Sequence, residues 1–170
     1  MKQQHSFKGR SVIITGGSRG LGKGTAEHFL ESGADVIICA RNVPDTLPSY
    51  NGKAALFCAT DVRDPESSQQ LIDYAVAQTG RLDVLINNAG GSPEVASKTA
   101  SPRFTSAIIS INLIAPAVLS QQAYIAICDT AKTGSIVNIA SVSAIRPSPG
   151  TAAYGAAKAG LVNLTRSLAQ

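Results

Sequence analysis

Short apolar runs rich in β-branched residues alternate along the chain with longer segments whose apolar positions recur at helical spacing. Residues 11–15 (SVIIT), 35–40 (DVIICA), 54–60, 82–86 (LDVLI) and 135–140 (SIVNIA) have the near-continuous hydrophobicity expected of strands covered on both faces. Residues 21–32 set Leu21, Thr25, Ala26, Phe29 and Leu30 on one side of a helix that stops at Gly33, and residues 64–79 predict a helix that stops at Gly80. Residues 104–130 predict a long apolar helix, bent at Pro116 because proline has no N–H for the preceding turn. Residues 152–170 predict a last helix. The stretches 42–53 and 90–102, and the segment holding Pro147, Pro149 and Gly150, predict loops.

Strands and helices in strict alternation predict a parallel sheet covered on both sides: a doubly wound, Rossmann-like α/β fold of five strands, with residues 1–170 forming one domain. Composition agrees, because 44% apolar and 15% charged residues describe a packed chain and not a disordered one. The net charge is +4, but the basic residues are scattered, with no run or aromatic-interleaved patch that would suit nucleic acid. The first ten residues are polar and basic with no apolar core behind them, so no secretory signal is expected, and no apolar run approaches membrane-spanning length. The cysteines, Cys39, Cys58 and Cys128, form no CxxC pair; two lie in strand-like runs where a buried thiol is a packing residue, and no metal site is expected. Free thiols point to the reducing cytoplasm. His5 and His28 have no acidic or metal-ligand partners and receive no role.

The first candidate for chemistry is the turn Thr15-Gly16-Gly17-Ser18-Arg19-Gly20-Leu21-Gly22, which leaves the first strand and opens the first helix. Glycines there allow a tight turn and close backbone approach, and a helix N-terminus offers free N–H groups to a pyrophosphate. At the end of the second strand a fold of this kind places an acid when it selects NAD(H). Here that place holds Ala40-Arg41-Asn42. Arg41, joined by Arg19 from the glycine turn, can pair with a 2′-phosphate, so NADP(H) is the expected cofactor and NAD(H) the alternative. Two plain surface arginines are the competing explanation.

Ser141, just past the fifth strand, and Tyr154 and Lys158, four apart in the following helix, make the second candidate. An isolated phenol titrates near pH 10, and an adjacent ammonium favours its ionised form, so such a tyrosine can exchange a proton with a substrate oxygen. Taken alone, a Tyr and a Lys at helical spacing are an ordinary surface pair.

Together these segments resemble the short-chain dehydrogenase/reductase family, of the single-domain kind, over nearly the whole chain. The family's TGxxxGxG stands at Thr15 to Gly22, its NNAG at residues 87–90, its YxxxK at Tyr154 to Lys158, and its serine thirteen positions before the tyrosine at Ser141. The resemblance implies that Tyr154 is the general acid/base, that Lys158 assists it and bonds the nicotinamide ribose, that Ser141 holds the substrate oxygen, and that Asn112 anchors a proton-relay water. It implies that Asp61, with Val62, faces the adenine, and that Asn88, Ala89 and Gly90 border the cofactor beside Gly16, Ser18, Arg19, Gly20, Leu21 and Gly22. Asn112 satisfied within its own helix, and Asp61 as the cap of the second helix, are the structural alternatives; Ser143 is a decoy for Ser141.

Family members continue with two more strands and a substrate-covering region, so the chain is expected to be C-terminally incomplete; a natural short form and a truncated chain both fit, and a last helix running uncapped to Gln170 favours the second. The family also pairs subunits, and Ile108, Ile111, Ile114, Val118 and Leu119 on the long helix, with Ala157, Leu161, Leu164 and Leu168 on the last, predict a homo-oligomer, dimer or tetramer. Two functions follow: an oxidoreductase acting on a small-molecule carbonyl or alcohol, or a non-catalytic nucleotide-binding or interaction protein that retains the fold.

Overall fold

The computed structural model describes residues 6–169, so His5 and Gln170 lie outside the described residues. Its centre is a five-stranded, wholly parallel sheet made of β1 (Ser11–Thr15), β2 (Asp35–Ala40), β5 (Leu56–Ala59), β6 (Val84–Asn87) and β7 (Ser135–Asn138), in the order β5-β2-β1-β6-β7. The chain starts in the middle, winds outward to β5, then returns to β6 on the other side of β1. This is the doubly wound fold that the alternating pattern predicts, and its switch point lies between β1 and β6.

Alternate strand residues feed two cores. Val12, Ile14, Val36 and Ile38 pack with Ala26 and Leu30 of α1 (Gly20–Glu31) on one face. Ile13, Ile37, Cys39 and Leu85 pack on the other face with Leu71, Ile72 and Ala75 of α2 (Pro65–Thr79) and with Leu119, Ala123 and Ile127 of α4 (Ala115–Asp129). Because strand side chains alternate, a strand buried on both faces needs an uninterrupted apolar run, as the sequence has. Gly33 and Gly80, at φ +91° and +76°, take the left-handed conformation that ends α1 and α2. Asp64 caps α2 through Glu66 N–H.

Three expectations need correction. The stretch 42–53 is not all loop: β3 (Ser49–Tyr50) and β4 (Lys53–Ala54) form a small antiparallel hairpin. Its two-residue turn is Asn51-Gly52, both at positive φ (47° and 82°), the geometry that an Asn-Gly pair favours in tight hairpins. Second, the long helix is continuous over Pro102–Asp129 and is apolar enough, by length and composition, to cross a bilayer. Ile108, Leu119, Ala123 and Ile127 nonetheless face the protein core, so burial accounts for part of the apolar character. Its irregularity falls at a π-turn, Ser110–Ile114, between α3 (Pro102–Ile109) and α4, where Ala115 N–H donates to Ser110 O; Pro116 lies just beyond.

Third, the apolar residues expected to pair subunits are not all outward. Ile108, Leu119, Ala157 and Leu161 are buried within the chain, the last two on α5 (Ala152–Leu168). The large apolar residues exposed on these helices are Ile114, Tyr124, Ile125 and Leu168.

Candidate active site

Two loops meet at the carboxyl end of the sheet, on either side of the switch point, and four hydrogen bonds join them. Thr15 Oγ1 accepts from Asn88 N–H (3.0 Å) and Ala89 N–H (2.9 Å), while Asn88 Nδ2 donates to the carbonyls of Thr15 (2.8 Å) and Gly16 (3.2 Å). The glycine turn is thereby clamped against the segment after β6. Gly22 allows this approach, because a Cβ there would collide with Gly16 O and sit 2.5 Å from Asn88 Nδ2.

Above the joint lies a cleft of about 870 Å³. Gly16, Ser18, Arg19, Gly20, Leu21 and Gly22 line it from the turn, Arg41 from the end of β2, Asp61 and Val62 from beyond β5, and Asn88, Ala89 and Gly90 from beyond β6. No side chain caps the start of α1 and no acid lies in its first turn, so its N–H groups face the cleft with their dipole uncompensated. The walls carry Arg19, Arg41 and Arg63 against a single carboxylate, Asp61. Asp61 is held to Arg63 in a two-pronged pair, Nε to Oδ1 at 2.9 Å and Nη2 to Oδ2 at 2.5 Å. That pair, with a smaller pull from Arg41, brings the Asp61 carboxyl down to about 2. Asp64 caps α2, so Asp61 is free of that duty. The charge, the uncapped helix and the glycine cradle fit a dinucleotide.

Tyr154, Lys158, Ser141 and Asn112 gather at one corner of this cleft without lining it. Lys158 is 4% exposed and donates from Nζ to Ile139 O at 2.7 Å, two residues before Ser141. Burial lowers its pKa from the ordinary lysine value. The ammonium lies 5.7 Å from the centre of the Tyr154 ring, one helical turn earlier. Ser141 starts the 3-10 turn Val142–Ala144, its Oγ accepting from Ser143 N–H at 3.2 Å, and that turn packs against α5.

Asn112, fully buried in the π-turn, spends its whole amide locally: Oδ1 accepts from Gly91 N–H, and Nδ2 donates to the carbonyls of Gly91 and Ile108, each at 2.9 Å. Gly90 connects this corner to the cleft, since a Cβ on it would come within 2.5 Å of Asn112 Oδ1 and 3.6 Å of Lys158 Nζ.

The sequence reading passes over Arg63, which lines the cleft and holds Asp61; its signal is a guanidinium two residues after a carboxylate in a strand-end loop. It also passes over Thr15 Oγ1 as the clamp between the two loops, which only the parallel register of β1 with β6 brings together. Cys39 lines the cleft as well, and burial pushes its thiol up to about 12.

The family profile described as short chain dehydrogenase matches residues 10–170. The chain belongs to the short-chain dehydrogenase/reductase family. Among members of this family, a Bacillus subtilis (strain 168) protein named "Probable 2,4-dienoyl-CoA reductase" is 36% identical over 166 residues, covering 94% of this chain and 65% of the relative. A 3-oxoacyl-acyl-carrier-protein reductase of Chlamydia pneumoniae is 34% identical, covering 95% of this chain and 67% of its own length. The crystal structure of a short chain dehydrogenase from Bacillus anthracis superposes with a TM-score of 0.87 at 31% identity, over 96% of this chain and 70% of that one. The chain thus spans about two thirds of the length of these relatives.

A thiol raised to about 12 is protonated throughout the neutral range. In the native protein at pH 8, Cys39 is expected to stay unmodified by iodoacetamide while the exposed Cys128 reacts, as read by peptide mass mapping; carbamidomethylation of Cys39 at the Cys128 rate contradicts its burial.

Proposed function

We propose that this chain is the cofactor-binding and catalytic part of an NADP(H)-dependent oxidoreductase that interconverts a carbonyl and a secondary alcohol. The observation that carries the reading is the junction at Gly90, where the cleft and the Tyr154–Lys158 corner meet. A nicotinamide dinucleotide bound there supplies or accepts hydride.

The chain's own residues do the rest. Gly16, Ser18, Gly20, Leu21 and Gly22 hold the pyrophosphate at the open start of α1. Arg41 and Arg19 take a 2′-phosphate, with charge-assisted bonds that an NADH ribose cannot return. Asp61 and Val62 border the base, and Asn88, Ala89 and Gly90 the central part of the cofactor. Tyr154 gives a proton to, or takes one from, the substrate oxygen, and Lys158, whose ammonium lies 5.7 Å from the centre of that ring, can reach the nicotinamide ribose. Ser141 Oγ accepts one backbone N–H and keeps its own hydrogen free to bond the substrate oxygen.

Asn112 acts through its backbone. Its side chain is fully engaged, and Pro116, four residues on, has no N–H to give the ordinary helical bond to its carbonyl, which can hold a relay water. The name of the Chlamydia pneumoniae relative, a 3-oxoacyl-acyl-carrier-protein reductase, supports a carbonyl substrate, whereas that of the Bacillus subtilis relative, a 2,4-dienoyl-CoA reductase, points to a carbon–carbon double bond. A soluble cytoplasmic homo-oligomer belongs to the same reading, with Ile114, Tyr124 and Ile125 as the outward apolar surface; a monomer in light scattering would count against it.

The test is NADPH oxidation with a panel of ketones and 3-oxoacyl thioesters. Tyr154→Phe is expected to lower kcat by about a hundredfold or more with NADPH affinity kept. Activity equal to the wild type would remove Tyr154 from the chemistry. Arg41→Asp is expected to weaken NADPH binding about ten- to hundredfold, the worth of a charge-assisted contact, and to leave NADH binding nearly unchanged. Equal NADPH affinity in that variant would contradict the phosphate contact.

A further inference from the structure

One residue before the carbonyl that holds Lys158, the sheet carries a second set of hydrogen bonds. Asn87 and Asn138 are register partners at the carboxyl ends of β6 and β7. Side-chain amides beside a core are costly unless their hydrogen bonds are met. Asn87, 2% exposed, directs Nδ2 to Asn138 Oδ1 (2.8 Å), Ser120 Oγ (3.2 Å) and Pro116 O (3.4 Å), the last two on α4. Asn138 Nδ2 donates in turn to Thr165 Oγ1 on α5, at 3.0 Å. The direction of this chain is fixed at its outer end. Thr165 spends its hydroxyl hydrogen on Leu161 O (2.7 Å), one turn back in its own helix, and so can only accept from Asn138. Asn138 therefore turns its amino group to α5 and its oxygen to Asn87, which answers with N–H. The cost is that Asn87 Oδ1 has no partner among the described residues; the opposite turn would set two amide oxygens against each other.

α5 is the helix that carries Tyr154 and Lys158. Residues 154, 158, 161 and 165 fall on one stripe of it, at helical spacing. Towards one end of the stripe Lys158 Nζ reaches Ile139 O, and at the other Thr165 takes the bond from Asn138. Between them Leu161 is fully buried, but apolar contact has no direction and tolerates a slide or a roll of the helix. The hydrogen bonds do not. Moving a helix by one residue displaces its side chains by about 1.5 Å along the axis, and about 1 Å at a reacting group is enough to cost about a hundredfold in rate.

We infer that Asn138 and Thr165 are positioning residues: the Asn138 amide, turned by Thr165 and anchored on Asn87, seats α5 on the end of β7 and so places Lys158 against Ile139 O and Tyr154 at the corner. The consequence for catalysis rests on the oxidoreductase reading; the seating of the helix does not. Without either side chain the helix keeps its apolar contact and loses its register, so Lys158 leaves its carbonyl more often.

The experiment compares the wild type with Asn138→Leu, which keeps the size of the side chain without its hydrogen bonds, and with Thr165→Val and Thr165→Ser at a position exposed enough to leave no buried hole. Each protein is treated with an amine-acetylating reagent and mapped by peptide mass, with thermal melts to show that it is folded. In the wild type Lys158, 4% exposed, is expected to react far more slowly than the exposed Lys98. Asn138→Leu and Thr165→Val are expected to speed the labelling of Lys158 about fivefold, as the loss of one hydrogen bond implies, with Lys98 unchanged and Cys39 still closed to iodoacetamide. Thr165→Ser, which keeps the hydroxyl, is expected to label as the wild type does. In NADPH oxidation the first two variants are expected to lose about tenfold in kcat and to show a displaced pH profile, with NADPH affinity within about twofold of the wild type. Labelling of Lys158 unchanged in both variants overturns the inference, whatever the melts show. So does faster labelling with kcat and its pH profile as in the wild type, because the helix is then seated for stability alone. A wild type that gives the expected labelling but oxidises no NADPH supports the seat and counts against the oxidoreductase reading instead.

Discussion

The clamp between Thr15 and Asn88 is the contact on which the rest of the site depends. Two loops leave a parallel sheet at its switch point and would naturally diverge, one to α1 and the other towards α3. A single threonine hydroxyl takes two backbone N–H groups from the far loop, and the asparagine amide returns two bonds to the near one. Thr15 is 2% exposed, so the hydroxyl at the centre of the clamp is out of reach of water, where a polar group left without its partners costs about 1–3 kcal/mol. The cleft is therefore a product of hydrogen-bond satisfaction at the edge of the sheet as much as of glycine flexibility.

From that joint the polar design runs in two directions. Outward along the strand order lie Arg19, Arg41 and Arg63 with one carboxylate, Asp61, a wall with a surplus of positive charge. Inward lies the corner where Lys158 is buried on a backbone carbonyl beside Tyr154, with Asn112 bracing the Gly90–Gly91 backbone from the π-turn. A π-turn in an otherwise α-helical segment often marks function, and here it brings a buried amide onto a loop that the cleft shares. Gly90 is the thin wall between the two halves, and any side chain there would push Asn112 aside.

Much of the fold is legible in the sequence because the core strands are buried on both sides and leave no polar alternation to confuse the reading: SVIIT, DVIICA and LDVLI announce themselves. What escapes is local or needs the third dimension. The Asn51-Gly52 hairpin is flanked by strands of only two residues, too short for periodicity to register, although the dipeptide itself was the signal. The long helix looks apolar all round because one side faces the sheet and Ile114, Tyr124 and Ile125 lie exposed on it, so membrane-length hydropathy and core packing are indistinguishable without burial. In the site, the glycines and the spaced Ser141, Tyr154 and Lys158 could be named from spacing. The part played by Thr15 depends on which strand becomes the neighbour of β1, and that of Arg63 on which of the cleft's cations turns to the acid.

The most direct test of the account is the NADPH affinity of Thr15→Val, which keeps the shape of the side chain and removes the acceptor that joins the two loops. The account predicts a protein that retains its α/β circular dichroism, melts lower by about 2 kcal/mol of stability and binds NADPH at least about tenfold more weakly, because the N–H of Ala89 loses its partner, that of Asn88 keeps only Ile86 O, and the turn is released. A variant that binds NADPH as tightly as the wild type would contradict the claim that this clamp builds the nucleotide cleft.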